Sequence, residues 1–318
     1  GMVVVQNTIF SGDIGVALSN AFKEKYGIRL EFVVSRGGES YERLKTEKRS
    51  GQRAASLVQA SGLYMLAMKN DGLLTPVKDL PSFREKDVWS VHPLYTDPAG
   101  YILLFYKTLM GPYINTKIVK PGQEPQSIFD LLKPEWKGKL VVSDPRTGSG
   151  TYWYYTTLVN RKAIDWNYVK SLGQQDLTYE RNASAAMDQL MRGQASINLI
   201  GFGSTSGVLV DAGAPIKAIS LKEGDVFDLA GISMVDGAPN PNAAKVFMNW
   251  LLSKEGMTIW ANIAKQETLR KDVPNLLPKD VIPPSTTVPK IGITMEDLAQ
   301  AEELFRKSFM ADLLSLKR

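Results

Sequence analysis

The 318-residue sequence contains no cysteine, which excludes disulfides, thiolate zinc sites and cysteine nucleophiles. It has one histidine, His92, so no pair of histidines can hold zinc. His92 precedes Pro93 in a loop-like segment, where a structural or solvent-facing role is expected. No apolar run approaches the roughly 20 residues needed to span a bilayer. Charge of one sign is not concentrated either. The 38 basic and 33 acidic residues are interspersed and leave a net charge of +5, which argues against nucleic acid as a partner. That balance is compatible with a small anionic ligand but does not show one. The phosphate-loop pattern Gly-x-x-x-x-Gly-Lys-Ser/Thr is missing, and so is the Gly-x-Ser-x-Gly nucleophile elbow. No Ser-x-x-Lys pair occurs. Carboxylates and tyrosines remain, and no pair of them stands out, so no catalytic residue, metal site or cofactor is expected and the chain reads as a non-enzyme.

What is present is ordinary for a globular protein: 44% hydrophobic and 22% charged residues. The length favours two lobes over a single core. Gly1-Met2 runs directly into the strand-like Val3-Val4-Val5, with no signal peptide at this point. A glycine ahead of the methionine fits a sequence whose export signal has been removed, and the expected location is periplasmic or extracellular.

Strands and helices alternate from the start, the pattern of an α/β protein. Residues 3–9 read as a strand, followed by the turn Ser11-Gly12-Asp13 and an amphipathic helix through Leu18 and Phe22 that Gly27 closes. Residues 29–35 and 54–60 are further strands. The first is followed by Arg36-Gly37-Gly38-Glu39-Ser40 and a charged helix, the second by Ser61-Gly62 and a helix. Each strand thus ends in a small, polar loop, and in parallel sheets such loops line the binding crevice. Residues 100–107 form a long apolar strand, with Pro112 after it. Ser127 caps a helix. Residues 177–181, 195–200, 215–221 and 228–235 are strands, and a helix occupies 183–192. Asn240-Pro241 opens a helix with a capping residue, and Ser253 starts the next. A proline-rich connector, 274–289, precedes a last amphipathic helix that begins at the capping box Thr294-Met295-Glu296-Asp297.

The stretch of greatest interest is 139–151. A buried strand stops at Asp144-Pro145, Arg146-Thr147-Gly148-Ser149 forms a small-residue loop, and a helix follows that Ser149 or Thr151 can cap. A helix start with free N–H groups, hydroxyls and one arginine suits an anion or polar ligand; it equally suits a plain strand-to-helix turn. The design recurs at Gly201-Phe202-Gly203-Ser204-Thr205-Ser206-Gly207. Its glycine spacing is one residue too long for the dinucleotide fingerprint.

Several segments together resemble the extracellular solute-binding proteins of ABC importers, in the group that includes the ferric-iron binders. They are Pro125 to Lys139 with Asp144-Pro145, Ala186 to Ile197 with Gly193-Gln194-Ala195, and Gly237-Ala238-Pro239-Asn240-Pro241 through Leu252-Ser253-Lys254-Glu255-Gly256. The opening Ser11-Gly12-Asp13-Ile14-Gly15 also fits. The resemblance implies a two-lobed type II periplasmic-binding-protein fold with two crossing hinge strands, at 101–107 and 230–235. Lobe 1 would hold 1–105 plus 232–283, and lobe 2 would hold 106–231 plus 284–318. A solute would be captured in the cleft between lobes and delivered to a membrane permease by a monomer that closes at the hinge. Iron-binding members place two adjacent tyrosines where this chain has Gly201-Phe202-Gly203-Ser204. Tyr154-Tyr155 is no substitute, because neighbours on a helix point about 100° apart.

The expected guest is therefore a small polar, anionic solute held by Ser11, Gly12, Gly38, Ser40, Ser61 and Gly62 in the first lobe. In the second, Arg146, Thr147, Gly148, Ser149, Gly203, Ser204, Thr205 and Ser206 are the candidates. Tyr106, Tyr152 and Trp153 are candidates for stacking or for core packing. Ferric iron in a non-standard site and a sensor module on the same fold are the alternatives.

Overall fold

In the computed structural model the described residues are 1–90, 97, 99–145, 150–274, 278–281 and 290–292. The chain divides into two compact units, Gly1–Lys107 with Leu229–Leu276 and Thr108–Asp228 with Leu277–Arg318. Strands and helices alternate in both.

In unit 1 the order is β1 (Met2–Asn7), α1 (Gly12–Tyr26), β2 (Arg29–Val34), α2 (Gly37–Ser50), β3 (Leu57–Ser61), α3 (Gly62–Asn70), β4 (Leu74–Thr75) and α4 (Pro81–Arg84). β1 lies between β2 and β3 and is parallel to both. Their carboxyl ends therefore share one edge of the sheet. β5 (Leu103–Asn115) enters this unit with its first residues and runs on into unit 2. The chain returns to unit 1 later through β10 (Asp225–Val235), which pairs antiparallel with β3. α9 (Pro241–Leu251), α10 (Lys254–Ala264) and β11 (Glu267–Thr268) follow.

The core of unit 1 is aromatic. Phe22 of α1 meets Phe247 edge-on at 5.1 Å and Trp250 at 5.3 Å, and Phe105 meets Trp260 edge-on at 5.4 Å. Each fully buried side chain of this size contributes up to about 3 kcal/mol. Apolar residues at helical spacing, Ala244, Phe247, Met248 and Leu251, turn α9 onto that core. Gly256 lets α10 follow closely, since a Cβ there would stand 2.3 Å from the Trp250 carbonyl oxygen. The start of β5 is set by Asp97, a buried carboxylate that accepts from the N–H groups of Ala99, Tyr101 and Ile102 and from Lys69 Nζ at 2.8 Å.

In unit 2, β6 (Leu140–Ser143), α5 (Gly150–Asn160), α6 (Trp166–Gly173), β7 (Thr178–Glu180), α7 (Ala183–Met191), β8 (Ile197–Phe202), α8 (Gly203–Asp211) and β9 (Ile216–Ala218) follow one another. β6 is parallel to β7 and to β8. The second part of β5 pairs antiparallel with β8 and β9, and β12 (Lys290–Gly292) pairs with β10.

Three sequence expectations change. The strand expected at 100–107 is β5, which continues through Pro112 to Asn115. The proline does not end it because it stands opposite a bulge. The register against β8 shifts between Gly111 and Tyr113, where Pro112 alone stands opposite Leu199 and Ile200, so the extra residue lies on β8 and the regular ladder is broken at the proline. Asn240 does not cap α9; its amide donates instead to the Met2 carbonyl at 3.0 Å. The element at Ser127 is a 3-10 turn, Ile128–Leu132, though Ser127 does cap it. His92 and the helix expected from Thr294 lie outside the described residues.

Two outcomes follow. A Cβ at Gly231 in β10 would stand 2.5 Å from the Leu103 carbonyl oxygen, so backbone must give way. Gly231→Ala should cost about 2 kcal/mol, read as a lower urea midpoint. Asp130 accepts from Lys133 at 2.8 Å and from the N–H groups of Gln126 and Ser127, which bring its pKa down to about 2. A lowered carboxylate pKa stabilises above its unfolded value near 4, and the gain is lost as pH falls through 2. Asp130→Asn should therefore cost about 1–2 kcal/mol at neutral pH. The gap to the parent should close between pH 4 and pH 2 in acid-unfolding curves.

Candidate functional site

The candidate residues of unit 1 sit on the loops that leave β1, β3 and β2. After β1, Asn7 Oδ1 accepts from the Ile9 and Phe10 N–H groups, and both Thr8 N and Thr8 Oγ1 donate to buried Gln59 Oε1 of β3, at 2.9 and 3.0 Å. These bonds hold the turn rigid up to Ser11. Ser11 is the exposed N-cap of α1, yet its side chain makes no cap bond, and Gly12 takes the left-handed φ of +53° that favours glycine. After β3, Ser61 is the N-cap of α3 and again makes no cap bond; Gly62 is buried behind it. First-turn N–H groups of both helices are thus left without a side-chain acceptor.

The loop after β2 is braced differently. The Ser35 and Ser40 hydroxyls share a 2.7 Å hydrogen bond, and Ser40 is fully buried. Ser40 braces this turn from inside rather than lining it. Arg36 cannot accept a bond, so only the reciprocal half of a capping box forms, from Arg36 N–H to Glu39 Oε2 at 3.0 Å. Gly37 and Gly38 lie under the ring of Tyr64, from the first turn of α3. A Cβ at Gly37 would come within 2.3 Å of that ring. Tyr64 is half-buried, and burial raises its hydroxyl above the ordinary tyrosine pKa. Sequence reading missed Tyr64. The signal was a glycine pair in one loop and an aromatic just past Ser61-Gly62 in the next.

In unit 2, β6 ends as expected just before Asp144 and Pro145, and both of these are buried. Arg146, Thr147, Gly148 and Ser149 lie outside the described residues. Thr151 does not cap α5. Its hydroxyl donates back to the Ser143 carbonyl at 2.7 Å and lies 2.9 Å from Ser143 Oγ, tying the first turn of the helix to the end of β6. Gly150 faces the Phe202 ring, which a Cβ would approach to 2.1 Å.

The loop after β8 begins at Phe202, which has no capping atom to offer α8. Gly203 is buried, and a Cβ added there would lie 3.5 Å from the Leu109 backbone nitrogen. Thr205 is exposed, and its hydroxyl donates to the Phe202 carbonyl at 3.2 Å. The Ser204 side chain lies outside the described residues. Ser206 is fully buried and faces the Tyr113 hydroxyl, but neither group completes a hydrogen bond of ordinary geometry. Tyr113 also fills the space over Gly201, where a Cβ would be 2.3 Å from its ring.

The stacking candidates divide. Tyr106 is core, 4% exposed, with its ring 5.0 Å from Trp260. Trp153 is half-buried on α5, and the Tyr152 side chain lies outside the described residues. Tyr154 and Tyr155 are buried and edge-on at 5.2 Å, and burial raises both hydroxyls well above their ordinary pKa. Among the described residues no group of three or more histidines, aspartates or glutamates is placed to hold a metal ion. Two open surface grooves, about 610 Å³ beside α2 and about 520 Å³ beside Trp136, contain none of the candidate loops.

Sequence reading also missed Arg181, which it took as the end of a strand. The structure ends β7 at Glu180 and leaves Arg181 exposed beside the end of β6.

The Gly37–Tyr64 contact is testable by a double-mutant cycle. Gly37→Ala alone should destabilise by about 1–2 kcal/mol through overpacking, and the coupling with Tyr64→Ala should exceed about 0.5 kcal/mol. Additive losses in urea unfolding would show that the ring does not rest on the glycine.

A family model described as bacterial extracellular solute-binding protein matches residues 17–284. The spermidine/putrescine-binding periplasmic protein of Escherichia coli (strain K12) is 25% identical over 279 residues, covering 84% of this chain and 76% of that protein. The periplasmic binding protein AfuA from Actinobacillus pleuropneumoniae, with exogenous fructose-6-phosphate bound, has a similar structure. Its TM-score is 0.78 at 20% identity, covering 98% of this chain and 99% of that one. Iron-bound HitA from Pseudomonas aeruginosa gives a TM-score of 0.75 at 18% identity, covering 100% and 98%. At such identities these structures show a shared fold, the two-lobed α/β architecture of periplasmic binding proteins.

Proposed function

The chain belongs to the bacterial extracellular solute-binding proteins, which bind small molecules for ABC importers rather than transform them, and from that premise we propose that its solute is a small polar anion. The observation that carries this reading is the set of uncapped helix starts. α1 and α3 begin at serines that make no cap bond, and α8 begins at Phe202, which has no acceptor. By contrast Asp165, Asn182 and Ser253 cap α6, α7 and α10 with their own side chains. Unsatisfied N–H groups at a helix start, with the positive end of the dipole behind them, favour negative charge. Serine and threonine hydroxyls nearby add donors whose direction adjusts to the guest.

In unit 1 the proposed contacts are Ser11, Gly12, Gly38, Ser61 and Gly62. In unit 2 they are Arg146 to Ser149 and Gly203 to Thr205. The protein would act as a monomer outside the cytoplasm and pass its solute to a membrane permease. No helix among the described residues is long and apolar enough to cross a membrane.

The similar proteins named above bind a polyamine, a sugar phosphate and iron, so the choice must come from this chain's own loops. One feature favours a cation: Asp13 lies exposed in the first turn of α1. It belongs to the same first turn, whose N–H groups have no cap bond from Ser11, and it partly offsets their potential.

A thermal-shift panel of inorganic phosphate, citrate, fructose 6-phosphate, spermidine and ferric ion separates these readings. An oxyanion at a hundred times its Kd should stabilise the folded protein by about 2.7 kcal/mol. Stabilisation by spermidine or ferric ion alone would overturn the anionic reading and leave the family assignment standing.

A further inference from the structure

The parallel seam between β6 and β7 ends with Ser143 opposite Glu180. One residue further, the Asp144 N–H donates to the Glu180 carbonyl at 2.7 Å and closes the seam. Arg181 is the first residue past that closure, at the carboxyl edge of the unit 2 sheet, and it is exposed.

Its neighbours are already engaged. The Glu180 carboxylate accepts from Gln189 Nε2 at 2.6 Å. Asn182 Oδ1 accepts from the Ala185 N–H at 2.8 Å and caps α7. The first turn of α7 holds no acidic residue. Among the described residues Arg181 makes no ion pair, whereas Arg43, Arg53 and Arg270 are paired with Glu47, Asp236 and Glu85. An arginine with no carboxylate of its own keeps its full fork of donors for an incoming group. The start of α7 beside it adds positive potential.

We propose that Arg181 is an oxyanion anchor of unit 2, making a bidentate contact with a phosphate or carboxylate group of the solute. This rests on the anionic reading above and deepens it: the solute must carry a planar or tetrahedral oxyanion, not merely a polar surface. Recognition by a guanidinium fork is directional, so lysine at this position keeps the charge but loses the geometry.

The test uses the full chain, with inorganic phosphate and citrate titrated separately by calorimetry at low and high salt. Whichever oxyanion the parent binds, Arg181→Ala should weaken it by about tenfold or more, with Arg181→Lys recovering part of the loss. The ligand-free melting temperature should not move, since among the described residues the exposed side chain makes no ion pair. A response to phosphate alone or to citrate alone supports the anchor and identifies the group it takes. If the parent binds an oxyanion and Arg181→Ala keeps that affinity, the anchor is refuted while the anionic reading survives. A fall in the ligand-free melting temperature would show a structural role and refute it too. A parent that binds neither oxyanion but binds spermidine overturns both readings.

Discussion

Parallel pairing is the constraint on which the rest depends. When β1 aligns with β2 and β3, each strand must deliver its chain to a helix at the same edge of the sheet. The β6, β7 and β8 pairings impose the same rule on unit 2. Helix starts therefore collect at one edge of each unit, and helix starts carry N–H groups with no partner in the helix. A chain built this way must either cap those groups or leave them for something else. Ser253, Asp165 and Asn182 do the first, the last of them for α7, which leaves the parallel strand β7. Ser11 and Ser61 leave the groups open.

Open loops of small residues need support, and here it comes from rings laid on glycines. Tyr64 covers Gly37 and Gly38, Phe202 covers Gly150, and Tyr113 covers Gly201. At Gly37, Gly150 and Gly201 a Cβ would collide with the ring, so the small residue and the aromatic act as a pair; at Gly38 it would make ordinary contact. The glycines in these loops thus do more than permit tight turns: they let a bulky side chain from a neighbouring element hold the loop in place. The same packing confines Ser40 and Ser206 to the interior, where their hydroxyls face Ser35 and Tyr113 instead of solvent.

Much of this was legible in the order of residues because it is local. Alternating apolar strands and amphipathic helices identify an α/β protein without any long-range information. Gly27 and Gly51 close α1 and α2 in the left-handed conformation that glycine adopts freely. Ser253 and Asn182 cap helices through bonds that span three residues. The positions of the small polar loops, and hence the region where a solute would be sought, also follow from the strand–loop–helix pattern alone.

What the sequence could not decide were choices between a near partner and a distant one. The apolar run reads as a strand that stops at Lys107, until pairing with β8 and β9 carries β5 on through Pro112 to Asn115. Asn240 reads as a cap until the Met2 carbonyl, far away in the chain, takes its amide. Thr151 reads as a cap until the end of β6 comes within reach of its hydroxyl. Arg181 carried no local signal, and the glycine pair and the aromatic that mark Tyr64 lie in separate loops, so their importance depends on which loop and which strand end stand beside them. By itself the sequence determined the elements and the edge where the loops gather, since periodicity and capping act over a few residues. Only tertiary packing decided which side chains are occupied and which remain free, because a hydrogen bond or an ion pair is settled by the partner that arrives in space.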